Sequence, residues 1–238
     1  MAERRWAPDP ETLRLLRDAP FELVGRMPWS SNATFLVAFD DEAGTRAVYK
    51  PLRGERPLWD FPPGLHRREV AAFELSAVLG WGVVPPTVLR DGPHGEGSVQ
   101  LFVDADFSEH YFTILDGGRH RADLEAICVF DLVANNTDRK GGHCLLGADD
   151  RVYAIDNGLS FHEDTKIRTV LWDFAGEPIP ASLLADLERL TADEPPEALV
   201  CLLDPAEVDA VIDRAHRVLR SGTFPVDRTG HAYPWPLV

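Results

Sequence analysis

Apolar positions along the chain change their period near its middle. Over residues 21–27, 33–40 and 45–50, aromatic and β-branched residues recur in short runs, which predicts three strands, the last two joined by the turn Asp41-Glu42-Ala43-Gly44. Ahead of them, Asp9 as cap and Pro10 in the first turn predict a short helix carrying Leu13, Leu15 and Leu16, stopped at Asp18-Ala19-Pro20. Residues 67–79 keep helical spacing, with Glu69, Ala72, Phe73 and Ser76 on one face. Gly80, Gly82 and Pro85-Pro86 end that helix. A glycine-rich turn at 92–97 leads into a strand over 98–104.

Residues 124–134 are apolar except for Glu125 and Asp131, the signature of a largely buried helix. Residues 144–146 and 151–155 read as a hairpin around Gly147-Ala148-Asp149-Asp150. Further on, Leu183, Leu184, Leu187 and Leu190 form one stripe. Asp204-Pro205-Ala206-Glu207 then opens a helix with Val208, Val211, Ile212, Ala215, Val218 and Leu219 at helical spacing. The tail from Gly222 is irregular and proline-rich. There is no repeat and no low-complexity tract. The expected fold class is α+β, with a strand-rich N-terminal part (1–104) carrying one long helix and a mainly helical C-terminal part (105–238).

Composition adds exclusions. With 45% hydrophobic and 26% charged residues, the 238-residue chain is an ordinary globular one. Its net charge of −15 repels phosphate backbones and anionic head groups, so neither nucleic acid nor stable membrane association is expected. No apolar run approaches the ~18 residues of a membrane helix. Residues 1–6 lack a secretory apolar segment, and Cys128, Cys144 and Cys201 have no metal-ligand spacing; a reduced, cytoplasmic setting is expected.

Candidate chemistry lies in three places. Lys50 ends a strand and Glu69 starts a helix, the arrangement that positions an ammonium against nucleotide phosphates; a surface lysine and a solvated helix-start glutamate fit the same residues. Asn135-Asn136-Thr137-Asp138-Arg139 follows the buried helix, where Asp138 could orient an attacking hydroxyl, although such residues are also plain loop chemistry. Asp156-Asn157-Gly158 puts an acid at a strand end, suited to Mg²⁺ but also to a tight turn. Taken together, strand Lys, helix Glu, hinge-like strand, buried helix, loop Asp, hairpin and strand-end Asp follow the order of parts in a kinase. Pro28-Trp29-Ser30-Ser31-Asn32 falls where a phosphate-covering loop belongs.

Asn136-Thr137-Asp138-Arg139 and Ala154-Ile155-Asp156-Asn157-Gly158-Leu159-Ser160-Phe161 closely resemble the catalytic and metal-binding segments of type II phosphatidylinositol 4-kinases. Tyr49-Lys50-Pro51, Glu69-Val70-Ala71-Ala72-Phe73, Gly82-Val83-Val84-Pro85 and Gln100-Leu101-Phe102-Val103 extend the resemblance over residues 25–161. It implies a two-lobed protein-kinase-like fold of the phosphatidylinositol 3/4-kinase-like family, in a bacterial branch. It implies ATP and Mg²⁺ as cofactors, Lys50 with Glu69 on the phosphates, and Ser30, Ser31 and Asn32 over them. It further implies Gln100, Leu101, Phe102 and Val103 as adenine hinge, Asp138 with Arg139 as catalytic residues, and Asp156 as metal ligand. One departure is His143 where the family offers Asn to the metal; imidazole suits Mn²⁺ better than Mg²⁺.

The cysteine cluster of those lipid kinases is absent, and Trp59 and Phe61 are expected to pack on the N-terminal lobe. Arg53, Arg56, His66, Arg67 and Arg68 form a basic cluster, either a solvated face or a site for an anionic substrate. The expected function is a kinase acting on a hydroxyl of a soluble molecule or protein. The alternatives are a pseudokinase-like nucleotide-binding module, a phosphatidylinositol lipid kinase, and a plain interaction domain. Sequence leaves the acceptor and the oligomeric state open.

Overall fold

The computed structural model describes residues 6–28, 32–228 and 230–238. Helix α1 (Pro10–Asp18) opens on Asp9, whose carboxylate accepts from the Glu11 and Thr12 amides, and closes at Ala19. Five antiparallel strands follow: β1 (Phe21–Arg26), β2 (Phe35–Phe39), β3 (Arg46–Pro51), β4 (Thr87–Gly92) and β5 (Gly95–Leu101), in spatial order β1-β2-β3-β5-β4. Helix α2 (Leu65–Leu79) crosses between β3 and β4.

The helical part holds α3 (Tyr111–Gly117), α4 (Arg121–Ala134), the hairpin β6 (Cys144–Leu146) and β7 (Val152–Ala154), then α5 (Ala181–Ala192), α6 (Glu197–Val200) and α7 (Pro205–Ser221). Two apolar cores result. Leu16 of α1 packs with Val37, Phe39, Ala47, Tyr49, Val88 and Val99 on one face of the sheet. The larger core joins α2 to α4, α5 and α7.

The pattern misjudged the glycine-rich stretch. Thr87–Gly92 is an unanticipated strand, and β5 begins at Gly95, inside what reads as a turn. The cause is Tyr49: a Cβ on Gly97 would stand 2.7 Å from its Cε2, and one on Gly92 2.8 Å from its Cζ. These glycines are strand residues cleared for a ring, not turn residues. Helix α3 was also unanticipated, and α2 and α4 start earlier than their apolar stripes.

Two surface expectations fail. Phe61 is buried, against His162 and under the Arg68 guanidinium, but Trp59 is 95% exposed. The basic cluster is split between surface and interior: Arg53, Arg56 and Arg67 are exposed, His66 and Arg68 are not. His66 is buried between Glu55 (2.8 Å) and Glu96 (3.0 Å), Arg67 pairs with Glu96, and buried Arg68 pairs with Glu207. Acidic partners offset His66, Arg67 and Arg68, while Arg53 and Arg56 stay exposed, with Arg56 at the edge of the cleft described below.

Candidate active site

Strand alternation sends Ala47 and Tyr49 into the small core and Val48 and Lys50 to the opposite face, into a cleft of about 630 Å³. The Lys50 ammonium donates to Oε1 of Glu69 and, at 2.8 Å, to Oδ1 of Asp156. Glu69 lies in α2 with its side chain 3% exposed, and its Oε2 accepts from the Asn157 amide at 3.0 Å. Burial opposes charge on Lys50, but the two carboxylates hold its pKa above the ordinary lysine value. Lys50, then His143 and Arg139, hold Asp156 well below the usual carboxylate range. Asp156 adopts φ 58°, a left-handed conformation that short polar side chains tolerate. Two residues on, Gly158 lets α2 approach: a Cβ there would stand 3.3 Å from that of Leu65.

The opposite wall grows from the end of α4. Asn135 caps it at φ 57°, its amide donating to the carbonyls of His162 (2.9 Å) and Asp164 (2.7 Å). Asn136 Oδ1 accepts from the Asp138 amide at 2.9 Å, a local turn that aims Asp138 into the cleft beside Lys140, whose Nζ is 3.0 Å from its Oδ2. Arg139 points the other way. It is fully buried, bidentate on Asp131, and donates to the Ile155 carbonyl and to Asn157 Oδ1, both at 2.5 Å. It braces the loop and offers nothing to a substrate.

His143 also lines the cleft, its Nε2 3.6 Å from Asp156 Oδ2. Burial, with Arg139 and Lys140, outweighs the nearby acids and lowers its pKa, which favours the neutral ring. Asp156 thus presents an oxygen beside the His143 ring, whose Nδ1 accepts from the Lys140 amide at 3.4 Å, so that Nε2 becomes a metal donor when that bond is released. Among the described residues no group of three or more His, Cys, Asp and Glu gathers as a metal cage. Such a pair fits an ion that takes its remaining ligands from a bound phosphate.

The far end of the cleft is apolar, lined by Val48, Leu101, Phe102, Val103, Leu145 and Ile155. Gln100 lines it too, but its side chain is tied to Thr87 Oγ1 at 2.9 Å. The Phe102 amide is used by the Arg46 carbonyl, while among the described residues the Val103 amide has no partner. Asn32 stands at the rim, its Oδ1 accepting from the Arg56 amide at 3.0 Å. Ser30 and Ser31 lie outside the described residues. Sequence reasoning missed the braces Asp131 and Asn157 and the apolar plate of Val48, Leu145 and Ile155. Asp131 had a signal, as an acid in an apolar helix.

No family model matches this sequence. Over 262 aligned positions it is 38% identical to Protein Rv2133c of Mycobacterium tuberculosis (strain ATCC 25618 / H37Rv), covering 93% of this chain and 94% of that protein. The chain belongs to the Rv2133c family. Among solved structures this Rv2133c-family chain is similar to hydra Fam20 with sugar (TM-score 0.64, 15% identity, 88% of this chain and 86% of that one). It is also similar to the Golgi casein kinase with Mn/ADP bound (TM-score 0.56, 18% identity, 96% and 80%). A third is the Helicobacter pylori proinflammatory kinase CtkA (TM-score 0.53, 9% identity, 88% and 94%). The Rv2133c-family fold is therefore kinase-like, and these neighbours do not support the type II phosphatidylinositol 4-kinase part of the resemblance.

Proposed function

We propose that the protein is an ATP-dependent phosphotransferase that moves the γ-phosphate to a hydroxyl of a small molecule or protein. The observation that carries this reading is Lys50, held between Glu69 and Asp156 at the polar end of a cleft whose other end is apolar. A planar adenine suits the apolar plate, with the unpaired Val103 amide as donor, and the triphosphate suits the ammonium. In this reading Asp138 orients the acceptor hydroxyl and takes its proton, Lys50 steadies the phosphates, and Glu69 positions Lys50. Arg139 is a positioning residue. Asp156 and His143 would hold a divalent ion, which screens the phosphate charge when bound. The solved neighbour with Mn/ADP bound supports nucleotide plus divalent metal, and the imidazole donor favours Mn²⁺ over Mg²⁺. In the same reading Asn32 would contact the phosphates, a role that sequence alone extends to Ser30 and Ser31, and the lobes would divide at residues 104/105, after β5.

A soluble acceptor fits better than a phosphoinositide. The net charge is −15, Arg68 and His66 of the basic cluster are buried against carboxylates, and no described helix is long and apolar enough to cross a membrane. A reduced cytoplasmic setting remains part of the proposal. The rival reading, a nucleotide-binding module that transfers little, rests on His143 standing where an oxygen donor belongs. Transfer from labelled ATP with Mg²⁺ or Mn²⁺ decides between them. The kinase reading requires turnover that Asp138→Asn and Asp156→Asn each abolish; nucleotide binding without turnover in the parent protein establishes the rival.

A further inference from the structure

The tail beyond α7 ends on the loop that carries Asp138. Its Ala232 carbonyl accepts from the Thr169 amide at 3.0 Å and from Trp172 Nε1 at 3.1 Å. Thr169 in turn sits in a bridge with Arg139, and its hydroxyl donates to Asp131 at 3.3 Å. Five residues on, the Leu237 carbonyl accepts from the Gly141 amide at 2.6 Å. The Val238 side chain covers the same turn. A Cβ on Gly141 would stand 3.2 Å from Val238 Cγ2 and from Phe112 Cε2, and one on Gly142 3.9 Å from Val238 Cγ1. Gly141 is thus cleared for the tail and for Phe112, whereas Gly142 would accept a Cβ in ordinary contact with Val238.

What this turn carries makes the contact consequential. Residues 141–143 form a single tight turn, closed by the His143 amide on the Lys140 carbonyl at 3.1 Å. At its two ends stand Lys140, on Asp138, and His143, beside Asp156. One backbone hydrogen bond and one valine therefore seat both groups at once.

We infer that Leu237 and Val238 are positioning residues, a built-in strap that fixes the turn after Asp138 and thereby Lys140 and His143 in the cleft. The kinetic consequence rests on the phosphotransferase reading; the seating itself does not. Misplacing polar groups by about 1 Å at a reacting centre can lower turnover by up to ~100-fold. No described residue of the tail lines the cleft that Val48, Val103 and Leu145 help to form, so nucleotide affinity should hold.

The test uses the full-length chain and two opposite perturbations. Leu237→Gly with Val238→Gly removes the cover; Gly141→Ala pushes a methyl into it; Val238→Ile is the conservative control. Hydrogen exchange at the Gly141 amide should quicken in the first two and not in the control. Their kcat should fall about tenfold or more while KM for ATP stays within about twofold, and the control should keep parental kcat. Unchanged exchange at Gly141 overturns the strap, as does faster exchange with kcat unchanged, or kcat and KM failing together with a general loss of melting temperature. Should the parent chain transfer no phosphate, the phosphotransferase reading falls, and the exchange at Gly141 alone then decides the strap.

Discussion

Glu69 and Asn157, 88 residues apart, are joined by a 3.0 Å hydrogen bond in which the carboxylate accepts from the backbone N–H. The other oxygen of Glu69 holds Lys50, and the Asn157 side chain accepts from Arg139, which is locked on Asp131. An unbroken line of polar contacts therefore runs from the sheet through α2 and the strand-end loop to α4. It is buried along most of its length, so each link strengthens the next, and an orphaned member is penalised.

Glu69→Ala should break this line at its centre. It leaves the buried Asn157 amide without an acceptor and Lys50 with one carboxylate instead of two. The expected loss is about 2–4 kcal/mol in urea unfolding, with phosphate transfer lowered more than the stability loss explains. Stability within 0.5 kcal/mol of the parent, as an order of magnitude, would show that the line carries no load.

Asp131→Ala should be worse, stranding a fully buried guanidinium. Burial opposes charge on Arg139, yet Asp131 holds its pKa above the ordinary arginine value, so the group stays charged. About 3–5 kcal/mol should be lost, and pairing Asp131→Leu with Arg139→Met should recover much of it, because a dry apolar pair removes the unpaired charge. Thermal unfolding of the two single variants and the double variant measures the coupling.

Stability should fall as the pH rises above the histidine range. Burial lowers the pKa of His66, but its bonds to Glu55 and Glu96 outweigh this and raise it above the model-peptide value of 6.5. Below about pH 6.5 folded and unfolded chains are both protonated and the contribution is complete; above it the folded state holds the extra proton, so stability declines until His66 itself titrates. Melting temperatures recorded from pH 6 to 9 should slope downward, and His66→Gln should flatten the slope.

Much of this architecture was legible because burial writes a period into sequence. The aromatic and β-branched run over 45–50 announced a strand ended by Lys50, and the apolar run over 124–134 announced a buried helix ending at the Asp138 loop. What stayed illegible depends on contacts between distant segments. Glycines cleared for Tyr49 read like a turn, because a missing Cβ looks the same for either cause. Arg139 read like a catalytic residue because adjacency to Asp138 says nothing of the direction a side chain takes. Arg68 and His66 read like a patch because their partners, Glu207 and Glu96, are remote in sequence.

The metal preference offers the sharpest test of the site. His143 Nε2 lies 3.6 Å from Asp156 Oδ2, so an ion held by Asp156 would meet a nitrogen donor on this side. Mg²⁺ strongly prefers oxygen, whereas Mn²⁺ accepts imidazole more readily. The parent protein should therefore transfer phosphate faster with Mn²⁺ than with Mg²⁺. His143→Asn supplies an amide oxygen at the same turn and leaves the backbone seating of Gly141 on Leu237 in place. Its Mg²⁺ to Mn²⁺ rate ratio should rise by about tenfold, the scale on which altered ligand shells change metal function. Initial rates at saturating ATP across a titration of each ion provide the measurement. A ratio that does not move would remove His143 from the metal shell and leave Asp156 as its protein anchor.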